Sequence, residues 1–130
     1  MRRIFAIGLA IVAGLATWFL LAEVAGVDLV ARTGPSSTTR ISALSVAVTA
    51  AGVGFAAWAL LAVLERVWPG RARLIWTITA GGVLAVSLLG PLGGVGGAAV
   101  AGLAALHLAV GLVLIAGLPA PPVHDPGQLR

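Results

Sequence analysis

Residues 65–73 read Glu65-Arg66-Val67-Trp68-Pro69-Gly70-Arg71-Ala72-Arg73 and form the most densely charged stretch of a chain that is otherwise almost uncharged. Long apolar runs lie on both sides of this stretch, so it divides the chain into two halves. We interpret it as a linker between two pairs of membrane-spanning segments, and the rest of the chain is organised around it.

Composition indicates that lipid surrounds most of the chain. Of its 130 residues, 60% are hydrophobic and 9% are charged, and the mean hydropathy is +1.11. A soluble domain usually has roughly 25% charged residues, so this chain has too little charge to cover a surface that faces water. Cysteine is absent, which excludes disulfides, thiolate metal sites and thiol redox chemistry.

Four apolar runs predict four transmembrane helices in a single domain, an all-α integral membrane four-helix bundle. At a rise of ~1.5 Å per residue they reach across the ~30 Å hydrocarbon core, the third only marginally. The first run exceeds the roughly 7–15 residues of a signal-peptide core, so we expect a retained helix. The predicted helices cover about residues 4–24, 42–64, 74–90 and 97–118, and a polar tail covers residues 119–130.

The sequence also predicts a turn and an ion pair in the segment between the first two helices. Gly34-Pro35 and the hydroxyl residues after it are a turn signal. Asp28 and Arg32 are spaced i, i+4, so we expect the first helix to continue past the bilayer with these two side chains as a weak, solvated ion pair.

Arginine placement predicts the orientation. Four helices put both chain ends and the central linker on one side, and positive residues resist translocation, so that side should be cytoplasmic in a bacterial plasma (inner) membrane. Because the arginines lie at the ends of apolar runs, a nucleic-acid partner is not expected. Trp68 and Trp76 flank the linker, where indole rings favour the headgroup zone. Six arginines lie on the linker side, namely Arg2, Arg3, Arg66, Arg71, Arg73 and Arg130, against Arg32 and Arg40 on the other.

Small residues at four-residue spacing predict close helix packing, which matters because lipid provides no hydrophobic drive between helices. The spacings include Ala10 with Gly14 and Ala50 with Gly54. They fit packing within one chain and packing between chains equally well.

His107 is the ionisable residue nearest the middle of a membrane run, about ten residues from each end of the fourth helix. An imidazole exposed to lipid is costly, so we expect it to face the bundle interior, level with Thr79, residues 49–52 and Gly14. Two interpretations remain open. The first is a packing device, hydrogen-bonded to a threonine or a carbonyl. The second is a proton relay or a ligand contact.

Glu65 and Ser87 are the other candidate functional residues. Glu65 should join Arg66, Arg71 and Arg73 in an interfacial ion cluster, or those arginines bind an anionic headgroup or a phosphorylated substrate, with Glu65 orienting them. Ser87 is expected to bond back to its own helix. No catalytic residue is assigned and no cofactor is expected. One midplane histidine lacks the further ligands of a metal site.

Several segments of the sequence resemble a known family, and they follow one another in the family's order. They resemble an uncharacterised family of small four-helix integral membrane proteins from high-GC bacteria, a domain of unknown function. The resemblance implies a four-helix fold and no activity. It covers the second to fourth helices through Glu65-Arg66, Arg71-Ala72-Arg73-Leu74-Ile75-Trp76, Ser87-Leu88-Leu89-Gly90-Pro91-Leu92 and Leu106-His107-Leu108.

Three functional hypotheses follow. The leading one is a non-enzymatic subunit or accessory factor whose partners are the lipid bilayer and a second copy or another membrane protein. The second is a small proton-sensitive transporter that uses His107. The third is a membrane enzyme that acts on a lipophilic substrate with Glu65, Ser87 and His107.

Overall fold

The computed structural model describes residues 1–120, so the predicted polar tail from residue 121 onward, with Arg130, lies outside the described residues. Within them the predicted all-α four-helix fold is confirmed, because four helical segments are long and apolar enough to cross a membrane. In chain order the elements are α1 (Arg2–Phe19), a π-helical turn (Leu20–Val24), β1 (Val30–Arg32), β2 (Thr38–Arg40), α2 (Ala43–Val67), α3 (Ala72–Ser87), a 3-10 turn (Gly90–Gly93) and α4 (Gly97–Gly117).

The central linker is shorter than the sequence indicates. Helix α2 runs to Val67 and α3 starts at Ala72, so only residues 68–71 connect them. At its other end α2 begins with a reciprocal cap, in which Ser42 and Ser45 each accept a hydrogen bond from the other's backbone N–H at 3.2 and 3.0 Å. This capping box satisfies two of the backbone donors that a helix start leaves free.

Helix α1 lies at the centre of the packing, because it contacts both α2 and α4 along their lengths. Helix α3 packs against α2 and α4 and lies at the edge of the bundle. The two ends of the bundle differ. We call the end with the start of α1, residues 68–71 and the end of α4 the linker end, and the opposite end the hairpin end.

Small residues bring α1 close to its neighbours, as their spacing indicates. Ala10 is fully buried, and a Cβ added at Gly14 would lie 3.0 Å from Val110 and 3.1 Å from Val46. A Cβ added at Gly54 would lie 2.9 Å from the β-branched side chain of Ile7. The sequence left open whether such spacings act within or between chains. These contacts are all within one chain.

Large apolar side chains cover the outside of the bundle. Phe5, Leu44 and Ile78 are 72%, 73% and 67% exposed, and similar side chains occur on all four helices. A soluble monomer rarely exposes contiguous apolar surface on this scale. The outward face therefore suits hydrocarbon rather than water.

The segment after α1 differs from the prediction, which extended the helix and paired Asp28 with Arg32. The helix instead ends in the π turn, and Gly26 reverses the chain with a φ of 65°, a conformation that L side chains rarely adopt. Arg32 lies on β1, and Asp28 pairs with Arg40 at 2.9 Å, both exposed. The predicted turn is present, but it joins two strands in which Val30 pairs with Arg40 and Arg32 with Thr38.

This β-hairpin closes the hairpin end of the bundle. Leu29 is 2% exposed and lies against Gly102, where an added Cβ would be 2.6 Å from the leucine side chain. The backbone N–H of Val95 donates to the carbonyl of Val30 at 2.9 Å, which ties the α3–α4 connection to β1. The Trp18 indole donates to the carbonyl of Ile41 at 2.9 Å. One buried leucine and these hydrogen bonds therefore hold the hairpin on the helices.

We expect Gly54→Ala to destabilise the bundle by about 1–3 kcal/mol, because the new methyl group collides with Ile7 and pushes α1 away from α2. Gly52→Ala is the matched control on the same helix, since a Cβ there meets nothing within 4 Å and alanine favours helix. Thermal unfolding of the detergent-solubilised variants measures the difference. Equal midpoints for the two variants would contradict the packing described.

Candidate functional site

Glu65 lies at the linker end, but its partner is not the one that the sequence indicates. Nη2 of Arg3 lies 2.6 Å from Oε1 and 2.5 Å from Oε2 of Glu65, so one guanidinium nitrogen meets both carboxylate oxygens. The predicted cluster of Glu65 with the linker arginines is therefore wrong. Arg3 is in the first turn of α1 and Glu65 is in the last turn of α2, and the antiparallel packing of these helices brings the two together.

The other arginines at this end have different roles. Arg2 donates to the carbonyl of Pro119, and Arg73 donates to the carbonyl of Ala120 at 3.3 Å. Both hydrogen bonds join the start of a helix to the chain that follows α4. Arg66 and Arg71 are exposed and form no ion pair within residues 1–120.

The two tryptophans beside the linker have different environments. Trp68 is 52% exposed, as expected for a headgroup position. Trp76 is 2% exposed, and its indole donates to the carbonyl of Ile115 at 3.3 Å. The interfacial interpretation of Trp76 is therefore wrong, because its ring packs in the core between α3 and α4 and its N–H is satisfied there.

A groove of about 560 Å³ lies between α2, α3 and α4. It exists because α3 lies at the edge of the bundle and does not close the space between α2 and α4. We call it the α2–α4 groove. Its walls are almost entirely apolar, and the side chains with polar groups in them are Ser45, Thr49, Trp76, Ser87 and His107.

His107 lies on the wall of this groove and is exposed. His107 was expected to face the bundle interior; it faces the space between α2, α3 and α4, and that space is an open groove. Its Nδ1 lies 2.9 Å from the carbonyl oxygen of Leu103, one turn earlier on α4. A carbonyl only accepts, so Nδ1 carries the proton and Nε2 is the ring nitrogen left for another partner. The ring thus has one hydrogen bond to its own helix, as the packing interpretation requires, and one free nitrogen.

The residues expected at the depth of His107 are divided among three places. Of residues 49–52 on α2, Thr49 and Ala50 line the same groove. Thr79 does not line the groove but an adjacent shallow depression on α3, which shares Val83 and Ser87 with it. Gly14 is covered by Val110 and Val46. Of these residues, only Thr49 and Ala50 share a surface with the imidazole.

Ser87 also lines the groove, from α3, and its hydroxyl donates to the carbonyl of Leu84 at 2.8 Å, as predicted. Ser87 and His107 therefore share one surface, but each is bonded to a carbonyl of its own helix. Glu65 is at the linker end with Arg3. The three residues of the enzyme hypothesis are not brought together, and residues 1–120 contain no group of three side chains that could hold a metal ion.

Sequence reasoning missed the groove itself and the Arg3–Glu65 pair. Both depend on which helices are neighbours, and the sequence shows only the order of the helices. The sequence did contain a signal for the pair. The first helix starts with two arginines and the second helix ends near an acid. Antiparallel packing of the two helices places these residues at the same end of the bundle.

We expect the Arg3–Glu65 pair to show a larger coupling free energy than Asp28–Arg40 in double-mutant cycles with alanine. The side chains of Arg3 and Glu65 are 27% and 36% exposed, against 74% and 75% for Arg40 and Asp28. Fully exposed pairs give only about 0.2–1 kcal/mol. Unfolding of the single and double variants in detergent measures both couplings. A smaller value for Arg3–Glu65 than for the hairpin pair would contradict the geometry.

Comparison with known proteins identifies a family and no closer relative. The model of the family of unknown function DUF6069 matches residues 1–121. No curated protein and no solved structure matches the chain. The match covers all four helices, the hairpin and the groove, in agreement with the resemblance seen in the sequence. The chain therefore belongs to the family of unknown function DUF6069.

Proposed function

We propose that this protein is a non-enzymatic accessory factor of a bacterial plasma membrane that holds a lipophilic molecule in the α2–α4 groove. Its role is to bind that molecule within the bilayer and to present it to a partner, either a second copy or another membrane protein. The groove is the observation that carries this proposal.

The groove has the features of a small-molecule site. Such sites have volumes of about 300–1,000 Å³, are lined mainly by apolar side chains with a few polar groups, and occur between the helices of bundles. The α2–α4 groove has a volume of about 560 Å³ and combines apolar walls with Thr49, Ser87 and His107. Its position between membrane-spanning helices selects ligands that dissolve in lipid.

The non-enzymatic part of the proposal rests on the separation of the ionisable groups. Acid–base or nucleophilic catalysis needs a nucleophile, a base and an orienting group within hydrogen-bond reach of one another. Glu65 is held by Arg3 at the linker end, whereas His107 is in the groove and is bonded to Leu103. The arrangement supports binding better than it supports chemistry.

The proposed orientation has the linker end in the cytoplasm. Within the described residues the linker end carries Arg2, Arg3, Arg66, Arg71 and Arg73, and the hairpin end carries Arg32 and Arg40. Arginines in short loops favour the cytoplasmic side. Arg66 and Arg71 are exposed there and are suited to contact anionic headgroups.

Cysteine mapping tests the orientation, because the chain has no cysteine of its own. We expect Ser36→Cys, in the turn of the hairpin, to react with an impermeant maleimide in intact cells. Gly70→Cys, in the linker, should react only after the membrane is permeabilised. Both positions are exposed. The reverse pattern would show that the linker end faces outward.

Filling the groove tests the proposed binding. Ala56 and Ala59 are both exposed on α2, but only Ala56 lines the groove. We expect Ala56→Phe to abolish saturable photolabelling by a diazirine-bearing hexadecanol, because the ring occupies the ligand's space. Ala59→Phe, the matched control, should be labelled like the wild type. Mass spectrometry of the labelled peptides identifies the site.

Labelling that never saturates, or that is the same in both variants, would indicate general contact with lipid and would contradict the proposed function.

A further inference from the structure

The two ends of the bundle differ in net charge. Within residues 1–120 the linker end has five arginines and one acid, Glu65, which neutralises Arg3 through their ion pair. At the hairpin end two acids balance two arginines, namely Glu23, Asp28, Arg32 and Arg40. The side chains of the described residues therefore leave a charge of +4 at the linker end and none at the hairpin end.

Three of the five linker-end arginines have partners inside the protein. Arg3 pairs with the acid, and Arg2 and Arg73 donate to backbone carbonyls just after α4. Arg66 and Arg71 are exposed and form no ion pair within the described residues. A guanidinium group has five N–H donors and stays charged at physiological pH. These two side chains are therefore the ones suited to bind an anion from outside residues 1–120.

The linker, residues 68–71, holds these two arginines beside Trp68. The backbone N–H of Arg71 donates to the carbonyl of Trp68 at 3.0 Å, which closes a tight turn. The ends of such a turn lie within about 7 Å of each other. Arg66 is in the last turn of α2, two residues before Trp68. One short segment thus carries both charges, with the indole ring between them in sequence.

Exposed apolar side chains beside the arginines indicate the depth at which the charges lie. Val67, Trp68 and Leu74 are all exposed. Indole rings favour the headgroup zone, and exposed apolar side chains favour lipid over water. We therefore expect the guanidinium groups to lie level with the lipid phosphates, with which arginine forms strong charge-assisted hydrogen bonds. This depth favours a lipid headgroup over a soluble phosphorylated molecule.

We propose that the linker end binds anionic phospholipid and that Arg66 and Arg71 hold the headgroup phosphate beside Trp68. A zwitterionic headgroup also has a phosphate, but its ammonium group is repelled by the uncompensated charge of this end, so the anionic lipid is preferred. The hairpin end, whose charges cancel, has no such preference. This inference goes beyond the proposed function, because it depends neither on the groove nor on which side of the membrane the linker end faces.

The experiment compares the lipids beside the two ends of the purified full chain. Nanodiscs contain phosphatidylglycerol and phosphatidylcholine in equal amounts, and one of the two carries a diazirine at the glycerol end of an acyl chain. Mass spectrometry measures the labelling of peptides from residues 66–74 and from the hairpin. We expect the ratio of phosphatidylglycerol to phosphatidylcholine labelling to be at least about fivefold higher at residues 66–74, the effect of one arginine at an anionic surface.

Four variants show which charges are responsible. Arg66→Gln combined with Arg71→Gln should lose most of the difference between the two ends, because both exposed charges are removed. Arg66→Lys combined with Arg71→Lys keeps both charges and should retain most of it. Arg32→Gln removes an exposed arginine at the hairpin end and should leave the ratio at residues 66–74 unchanged. Ala56→Phe, which fills the groove, should also leave that ratio unchanged, so this inference and the proposed function can fail separately.

Equal ratios at the two ends of the wild type would overturn the inference, and this comparison requires no variant. A difference that persists in a folded variant with both glutamines would show that Arg66 and Arg71 are not the contact. Inorganic phosphate is added in a last arm, with sodium chloride at the same ionic strength as its control. We expect the two salts to act equally. Loss of the difference with phosphate alone would identify a soluble phosphate as the ligand and overturn the assignment to lipid.

Discussion

The structure depends on one constraint: the helices must approach each other closely, and they do so at residues with small side chains. Lipid tails are as apolar as leucine, so helices in a bilayer gain little from burying apolar surface against each other. Packing contacts and internal hydrogen bonds must supply the stability. In this chain Gly14 and Gly54 allow α1 to approach α4 and α2 closely, and Ile7, Val46 and Val110 fill the space that the glycines leave. The rest of the bundle is arranged around that three-helix unit.

Helix α3 is outside this unit, and the groove follows from its position. Trp76 anchors α3 at the linker end by burying its ring and donating to Ile115. Further along, Leu84 lies over Gly111, where an added Cβ would be 2.6 Å from the leucine. Side chains do not fill the space between α2 and these α3–α4 contacts. The same edge position that leaves α3 exposed to lipid therefore creates the space that Thr49, Ser87 and His107 line.

The features that could be predicted from sequence are those that depend on one segment at a time. An uncharged apolar run predicted the second helix at 42–64, and α2 is Ala43–Val67. Ser87 was expected to bond to its own helix, and it does. Such features can be predicted from the rise per residue of a helix, the surrounding solvent and the nearest backbone carbonyl.

Features that depend on two distant segments were mostly missed. The partner of Glu65 is on α1, 62 residues away, and Asp28 pairs across a hairpin rather than along a helix. Trp76 beside three arginines resembles an interfacial residue, but the neighbouring helix buries it. His107 was expected inside the bundle, and it lines an open groove because α3 does not fill the space between α2 and α4. Hydropathy reports how apolar a segment is, not which element lies next to it.

The edge position of α3 gives the bundle one adjustable wall. Helix α1 with α2 and α4 forms a unit in which any displacement disturbs glycine contacts, whereas α3 is connected through residues 68–71 and the Gly90–Gly93 turn. A tilt of α3 about its linker end would change the width of the α2–α4 groove at the hairpin end and leave the other three helices in register. The width of the groove can thus vary while the core of the bundle stays packed.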